Sequence, residues 1–293
     1  MVLAPLPGSS LTLLPGDTLR VLTWNVHYGA GGEERMGRTG DRDSHEQRLN
    51  AIGAQISDWD VDVVALQEVD RLSWRSHDLD GLEIIRAASG LPYAAWCPTW
   101  RARWVPWPTW KPSRHIGRIW SGQAILSRLP LRGATTHPLD QALSSRIINR
   151  FALHRTLLEV EVELGEGRSL HLLEAHLEAF DQPTRARHVG ATATVARGLA
   201  PDTILLGDLN SDDPVVLLPL SETGLLRPAI APLAERPDPD PWATWPADQP
   251  NRRLDQVWYG EGLQRLRVRI PRSTEGPALS DHLPMLVDLA VLK

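Results

Sequence analysis

Apolar positions along this chain fall into short runs of two kinds, separated by segments rich in Gly, Pro and Asp. Val61 to Val69 and Thr203 to Leu209 are nearly unbroken, as in strands covered on both faces, and Arg20 to Val26 reads as the first strand. His154 to Leu164 instead sets Leu158, Val160, Val162 and Leu164 against charged neighbours at period two, the mark of a half-buried strand. Gly165-Glu166-Gly167 turns that strand into Ser169 to Leu177, which predicts a hairpin. Gln123 to Ser127, Leu254 to Tyr259, Leu263 to Ile270 and Leu283 to Leu292 complete the predicted strands. Helical spacing appears in His45 to Trp59, through Leu49, Ile52, Ile56 and Trp59, in a short segment from Leu79 to Ala88, and in Pro183 to Leu199 with Pro183 in its first turn. Gly29 to Arg42 and Ala234 to Pro250 read as loops. Strand pairs mixed with helices predict an α/β protein with two mixed sheets.

With 293 residues, 42% of them hydrophobic, the chain can bury a large core. The motifs described below span Trp24 to His282, so dividing the chain would divide the site. One domain over residues 19–293 is expected, after an N-terminal extension of residues 1–18. A single cysteine, Cys97, excludes an intramolecular disulfide and suits a reducing compartment. Met1 to Leu22 lacks the basic and continuous apolar regions of a signal peptide, and no apolar run approaches the ~20 residues of a membrane span, so a cytoplasmic location is expected.

Charge changes the picture at one place. The net charge of −5 argues against a protein that coats nucleic acid indiscriminately. Yet Ile84 to Leu139 contains no Asp or Glu, eight Lys and Arg residues, and six of the twelve tryptophans. Its centre, about residues 94–120, reads as a Trp- and Arg-rich insert, with Trp104, Trp107 and Arg118 as candidate substrate contacts. The tryptophans serve either as core for a long insert or as a binding surface.

The candidate chemistry lies where apolar runs end. Glu68 closes a buried run and needs a partner there; a salt bridge to an Arg and a Mg²⁺ ion serve equally well. Asn25 ends the first strand as an amide neighbour. Asp208 and Asn210 stand two apart after Gly207, suited to orienting a water and donating to a phosphoryl oxygen, or to a simple Asx turn. Asp281 and His282 are adjacent and face opposite ways in extended backbone, so His282 looks to a different acid, Asp255 in Arg253-Leu254-Asp255. His176 shares a strand face with Glu174, as a site residue or a bonded strand histidine.

Taken in order, Trp24-Asn25, Gln67-Glu68, Gly122 to Arg128, Ala175-His176-Leu177, Gly207-Asp208-Leu209-Asn210, Arg253-Leu254-Asp255 and Ser280-Asp281-His282 resemble the endonuclease/exonuclease/phosphatase superfamily, the deoxyribonuclease I-like proteins. The resemblance covers roughly Leu19 to Leu292. It implies a four-layer sandwich of two mixed sheets flanked by helices, hydrolysing phosphate esters with Mg²⁺ or Mn²⁺. By motif match, Glu68 is the main metal ligand, with Asn25 beside it and Asp281 in the same network. Asp208 handles the attacking water, Asn210 binds phosphate, and His282, oriented by Asp255, stabilises the transition state. His176 matches the histidine of the nuclease, sphingomyelinase and inositol-phosphatase branches, and Arg155 stands where the family often has an arginine. Glu174-Ala175 replaces the family's usual Asn-Thr before that histidine.

The expected function is phosphodiester hydrolysis by in-line water attack on an anionic substrate. A phospholipid or phospho-headgroup is favoured, with peripheral membrane contact through the insert; nuclease and inositol-phosphatase-type monoesterase activities are the alternatives. A monomer is expected.

Overall fold

Residue parity along the strands sets the architecture. A computed structural model describes residues 1–5, 12–32, 37–38, 40–108, 110–141, 153–222, 224, 226–272 and 278–292. The first half of the chain forms β1 (Thr18–Asn25), α1 (Arg42–Asp58), β2 (Val63–Asp70), α2 (Gly81–Ser89), β3 (Tyr93–Val105), β4 (Gly117–Ser127) and β5 (Leu131–Pro138). The second half forms β6 (Thr156–Gly165), β7 (Arg168–His176), α3 (Gln182–Leu199), β8 (Thr203–Asp208), α4 (Pro214–Ser221), β9 (Arg227–Pro228), β10 (Asp255–Tyr259), β11 (Leu263–Arg269) and β12 (Met285–Val291). Val63 and Ala65 face the second sheet while Val64 and Leu66 face α1 and α2, so both faces of β2 need apolar residues. β8 divides in the same way: Ile204 and Leu206 point between the sheets, and Leu205 points to the opposite helical layer.

Two six-stranded sheets result, ordered β11-β12-β1-β2-β4-β3 and β5-β6-β7-β8-β10-β9. Their inner faces pack on each other, and helices cover both outer faces, which makes the expected four layers. Each sheet holds one parallel pair at its centre, β1 with β2 and β7 with β8. The C-terminal ends of these pairs carry Asn25 and Glu68 on one sheet, His176 and Asp208 on the other. That is the edge where open α/β sheets place ligands.

Side-chain caps start the helices: Asp41 accepts from the Ser44 amide, Asp80 from Glu83, Asp181 from Thr184 and Asp213 from Val215. Gly207 precedes Asp208 with φ of 147°, and a Cβ there would lie 1.9 Å from the Ala175 carbonyl oxygen. Only glycine lets β7 and β8 approach this closely where both deliver site residues.

The structure corrects the sequence reading at several points. The Trp/Arg segment is not an insert between elements. It is the outer half of the long β3–β4 hairpin, whose register shifts between Pro98 and Trp100 and between Ala102 and Val105 hide the period-two pattern. β5 and α4 had no clear signature, being an edge strand with one apolar position well buried and an eight-residue helix interrupted by Pro219. β2 runs on past Glu68 to Asp70. The loop expected over Gly29 to Arg42 lies partly outside the described residues and begins after a 3₁₀ turn at His27–Gly29. At the start of the chain, the Leu3 amide donates to Ala94 and the Trp96 amide to Met1, so these first residues cover the free edge of β3. Among the described residues no helix is long and apolar enough to cross a membrane.

Candidate active site

Glu68 owes its direction to a bulge. Gln67 and Glu68 on β2 oppose the single residue Gln123 on β4, because the pairing jumps from Leu66–Ala124 to Val69–Gly122. Glu68 takes φ of 57°, a strained conformation for a side chain with a Cβ, and so turns out of the sheet alternation into a cleft. Asn210, also in the cleft lining, has a similarly positive φ of 52°.

The cleft encloses about 390 Å³ and is lined by Asn25, Glu68, Arg155, His176, Asp208, Asn210, Asp281 and His282, with further residues on its walls. Eight of the site residues expected from sequence thus converge, drawn from both sheets. Asp255 stands directly behind them, its Oδ2 2.9 Å from His282 Nδ1. Trp104, Trp107 and Arg118 do not line the cleft. Arg118 is exposed and paired with Asp78 at 2.6 Å, and the two tryptophans lie further out on the hairpin.

Asn25 joins the two halves. Its Nδ2 donates to Glu68 Oε1 at 3.3 Å and to Asp208 Oδ2 at 3.2 Å, while its Oδ1 accepts the His27 amide. Glu68 makes no salt bridge with any described residue; the nearby Arg75 is committed to Asp70 at 2.8 and 3.0 Å. Of the two partners that sequence left open, the arginine is therefore excluded among the described residues. Burial works against ionising Glu68, but the nearby His27, His176 and Arg75 and the Asn25 hydrogen bond outweigh it and bring its pKa down to about 2. An ionised carboxylate that makes no salt bridge with a described residue, in one cleft with the Asp281 carboxylate, suits a hard divalent cation such as Mg²⁺.

Asp208, Asp255 and His282 also bring one ligand atom each within 4.8 Å of one another, close enough to share an ion. Protonation argues for a different use. Burial opposes charge on His282, but Asp255, by charge and hydrogen bond, together with Asp208 and Asp281, raises its pKa to about 10. An imidazolium offers no lone pair to a metal. Asp208 is pushed the other way from a common carboxylate: burial and the nearby Asp255 raise it to about 6, against the pull of His282. His282 Nε2 stands 3.8 Å from Asp208 Oδ2, and His176 Nε2 3.4 Å from the same oxygen. His176 stays neutral, since burial and Arg155 lower its pKa well below the ordinary value. The Asx turn also forms, the Asn210 amide donating to Asp208 Oδ1, so the turn and the site use the same residues. Asn210 Nδ2 donates to the Leu177 carbonyl, which fixes its amide plane.

Arg155 is buried at the cleft wall, and its guanidinium forms no salt bridge with a described residue. Sequence reasoning missed Arg75, Trp100, Arg185, Trp245 and Arg252 on the walls, and His27, whose Nδ1 lies 3.6 Å from Asp281 Oδ1. None has a motif; only the Trp-rich stretch hinted at Trp100.

Below the cleft floor lies a polar layer between the sheets. Gln67 Nε2 donates to Glu174 Oε1 at 3.2 Å, while Glu174 Oε2 finds no hydrogen-bond partner among the described residues. Burial raises the Glu174 pKa well above 4.5, so the native state keeps a proton that the unfolded chain releases above that value. Stability then falls with rising pH until the native group ionises. Glu174→Gln removes this titration and keeps an acceptor for Gln67. We expect its melting temperature to match wild type in acid and to exceed it increasingly above pH 4.5, by about 1.4 kcal/mol per pH unit in stability. Parallel melting curves across pH would show an ionised Glu174 instead.

A family model described as the Endonuclease/Exonuclease/phosphatase family matches residues 22–282. A search of curated proteins found no match. Among solved structures, an endonuclease/exonuclease/phosphatase from Beutenbergia cavernae is similar with a TM-score of 0.68 and 22% identity, over 94% of this chain and 72% of that one. The mannosyl-6-phosphatase Bt3783 of Bacteroides thetaiotaomicron has a TM-score of 0.65 and 16% identity, over 92% and 99%. TDP2 of Caenorhabditis elegans has 0.63 and 18%, over 94% and 75%. At these identities the structures support the fold of two mixed six-stranded sheets flanked by helices.

Proposed function

This chain belongs to the endonuclease/exonuclease/phosphatase family, whose members are hydrolases of phosphate esters acting as nucleases, phosphatases and other phosphoesterases, and from that premise we propose that it is a Mg²⁺-dependent phosphodiesterase, with Mn²⁺ as a substitute. The observation that carries this reading is the ionised Glu68, without a salt bridge to a described residue, in one cleft with Asp208 and His282, which Asp255 backs. Glu68, with Asn25 and Asp281 beside it, would hold the cation, which when bound neutralises phosphate charge.

The chain's own residues account for the rest. Asp208, with a pKa of about 6, is ionised at neutral pH yet basic enough to orient a water and accept its proton. His282, held as imidazolium by Asp255, presents Nε2 to the charge that builds on the phosphoryl oxygens during in-line attack. Arg155, whose guanidinium makes no salt bridge with a described residue, supplies donors for a non-bridging oxygen, and Asn210 an amide held by Leu177. His176 is neutral, so it serves as a hydrogen-bond partner of Asp208 or substrate without adding charge.

Trp100, Trp245 and Phe180 on the walls suit a group attached beyond the phosphorus, which favours a diester over a monoester. The same rings would stack a nucleobase, which keeps a nuclease as the second reading. The test measures hydrolysis of bis(4-nitrophenyl) phosphate and of 4-nitrophenyl phosphate with chelator and after adding back Mg²⁺ or Mn²⁺. Diester turnover should vanish with chelator, return with either ion, and exceed monoester turnover. Full turnover in excess chelator would overturn the metal-dependent reading, and a monoester preference the diester reading.

A further inference from the structure

The β3–β4 hairpin sorts its tryptophans by position. Trp96 is buried against the edge of Trp120, their ring centroids 5.0 Å apart, and Trp100 lines the cleft. Beyond them Ala102, Ile116 and Ile119 form a small satellite core that stiffens the outer hairpin. Past that core the rings turn outward: Trp104 is 42% exposed, Trp107 59% and Trp110 101%. Arg101, Arg103, Lys111 and Arg114 are exposed along the same outer segment, and no acid occurs anywhere from Ile84 to Leu139. The rest of the chain carries the negative charge. On the facing cleft wall, Phe180 lines the cleft and is itself 91% exposed.

An outward row of indole rings flanked by cations, at the tip of a stiff hairpin, is costly in water. It matches the interfacial zone of a bilayer, where Trp is favoured and Arg and Lys reach back to lipid phosphates. A nucleic-acid strand fits less well. It needs a basic groove leading to the chemistry, yet of the four cleft-wall arginines Arg75 and Arg252 are bound to Asp70 and Asp212 and Arg185 donates to the Glu178 and Ala179 carbonyls, which leaves Arg155 for a single phosphate rather than a strand. The exposed rings lie outside the cleft rather than along it.

We infer that the hairpin tip, with Trp107 and Trp110 at its apex, is a docking surface for an anionic lipid bilayer that presents a phospho-headgroup to the cleft. Trp100 links the two, belonging to the same strand as Trp104 and to the cleft wall. The inference rests on the phosphodiesterase reading for its choice of headgroup, but docking itself is measured without turnover.

The experiment sediments the full-length protein with vesicles of phosphatidylcholine alone and of phosphatidylcholine with phosphatidylglycerol, at low and high salt. Wild type should bind the anionic vesicles and lose them as salt rises, because surface charge is screened over ~8–10 Å near physiological ionic strength. The double variant Trp107→Ala/Trp110→Ala should lose roughly tenfold or more in bound fraction, and Arg103→Ser/Arg114→Ser a similar amount. Both should hydrolyse bis(4-nitrophenyl) phosphate at the wild-type rate. Trp110→Ala alone, at a fully exposed position that cannot unfold the hairpin core, should reduce binding in the same direction. Equal vesicle binding by wild type and the tryptophan variants overturns the inference. So does tryptophan-dependent binding to single-stranded DNA without vesicle binding. If wild type binds vesicles but hydrolyses no phosphate ester, the docking surface stands and the activity reading fails.

Discussion

Glu68→Gln and Asp208→Asn should each abolish most phosphodiester hydrolysis, by about 10²–10⁴-fold, in proteins that remain folded. The two losses differ in origin, and that difference is the test. Glu68 reaches the cleft from a strained bulge and makes no salt bridge with a described residue, so neutralising it removes attraction for a cation and leaves no orphaned partner charge. Calorimetric titration of Glu68→Gln with Mn²⁺ should therefore show weakened binding. Asp208→Asn should bind the ion with little change and fail at water activation. It should also lose the rise of activity with pH through about 6 that wild type shows as Asp208 ionises. Wild-type rates in both variants, or unchanged Mn²⁺ affinity in Glu68→Gln, would refute these roles.

The second large effect is in alkaline solution. In the proposed mechanism His282 acts while protonated, and its pKa of about 10 depends on Asp255, 2.9 Å away, against the opposing effect of burial. Wild-type activity should thus rise through about 6, hold a plateau, and fall through about 10. Asp255→Asn keeps the shape of the pair and removes its charge. The falling limb should then move down toward 6.5, the ordinary histidine value, and below it as far as burial prevails. At about pH 8 the variant should be slower by roughly 30-fold or more, and in weak acid much less so. An identical substitution at Asp238, far along the chain in the Pro-rich loop, should leave the profile as it was. A falling limb that stays near 10 in Asp255→Asn would rule the pairing out.

Stability follows the same pair. The native pKa of His282 lies above the unfolded value, so the pair contributes fully below about 6.5 and its contribution fades as pH rises through about 10.

Much of this was legible from residue order because local physics enforces it. Val61 to Val69 and Thr203 to Leu209 had to be strands covered on both sides, since no solvated face is available in such runs. Residues placed at the C-terminal ends of those strands, Asn25, His176 and Asp208, were foreseeable as site residues, as polar groups there face a cleft rather than core. The period-two step that separates Asp281 from His282 also predicted that His282 needs an acid from elsewhere, and Asp255 meets it.

Tertiary structure decided the rest. Sequence put Glu68 at a strand end and left it between an arginine and a metal. The bulge opposite Gln123 set its direction and the prior commitment of Arg75 to Asp70 withdrew that arginine as its partner, and both depend on strands that only folding brings together. Sequence flagged the Trp-rich stretch but could not divide it, because exposure of a tryptophan depends on what packs across from it. The hairpin register buries Trp96, puts Trp100 in the cleft and leaves Trp110 in solvent. Arg75, Arg185 and Arg252 were invisible for the same reason: a lone arginine has no pattern until a fold gives it neighbours. Periodicity and strand ends are local properties that sequence determines, whereas burial, pairing and charge balance at the site are properties of the assembled sheets.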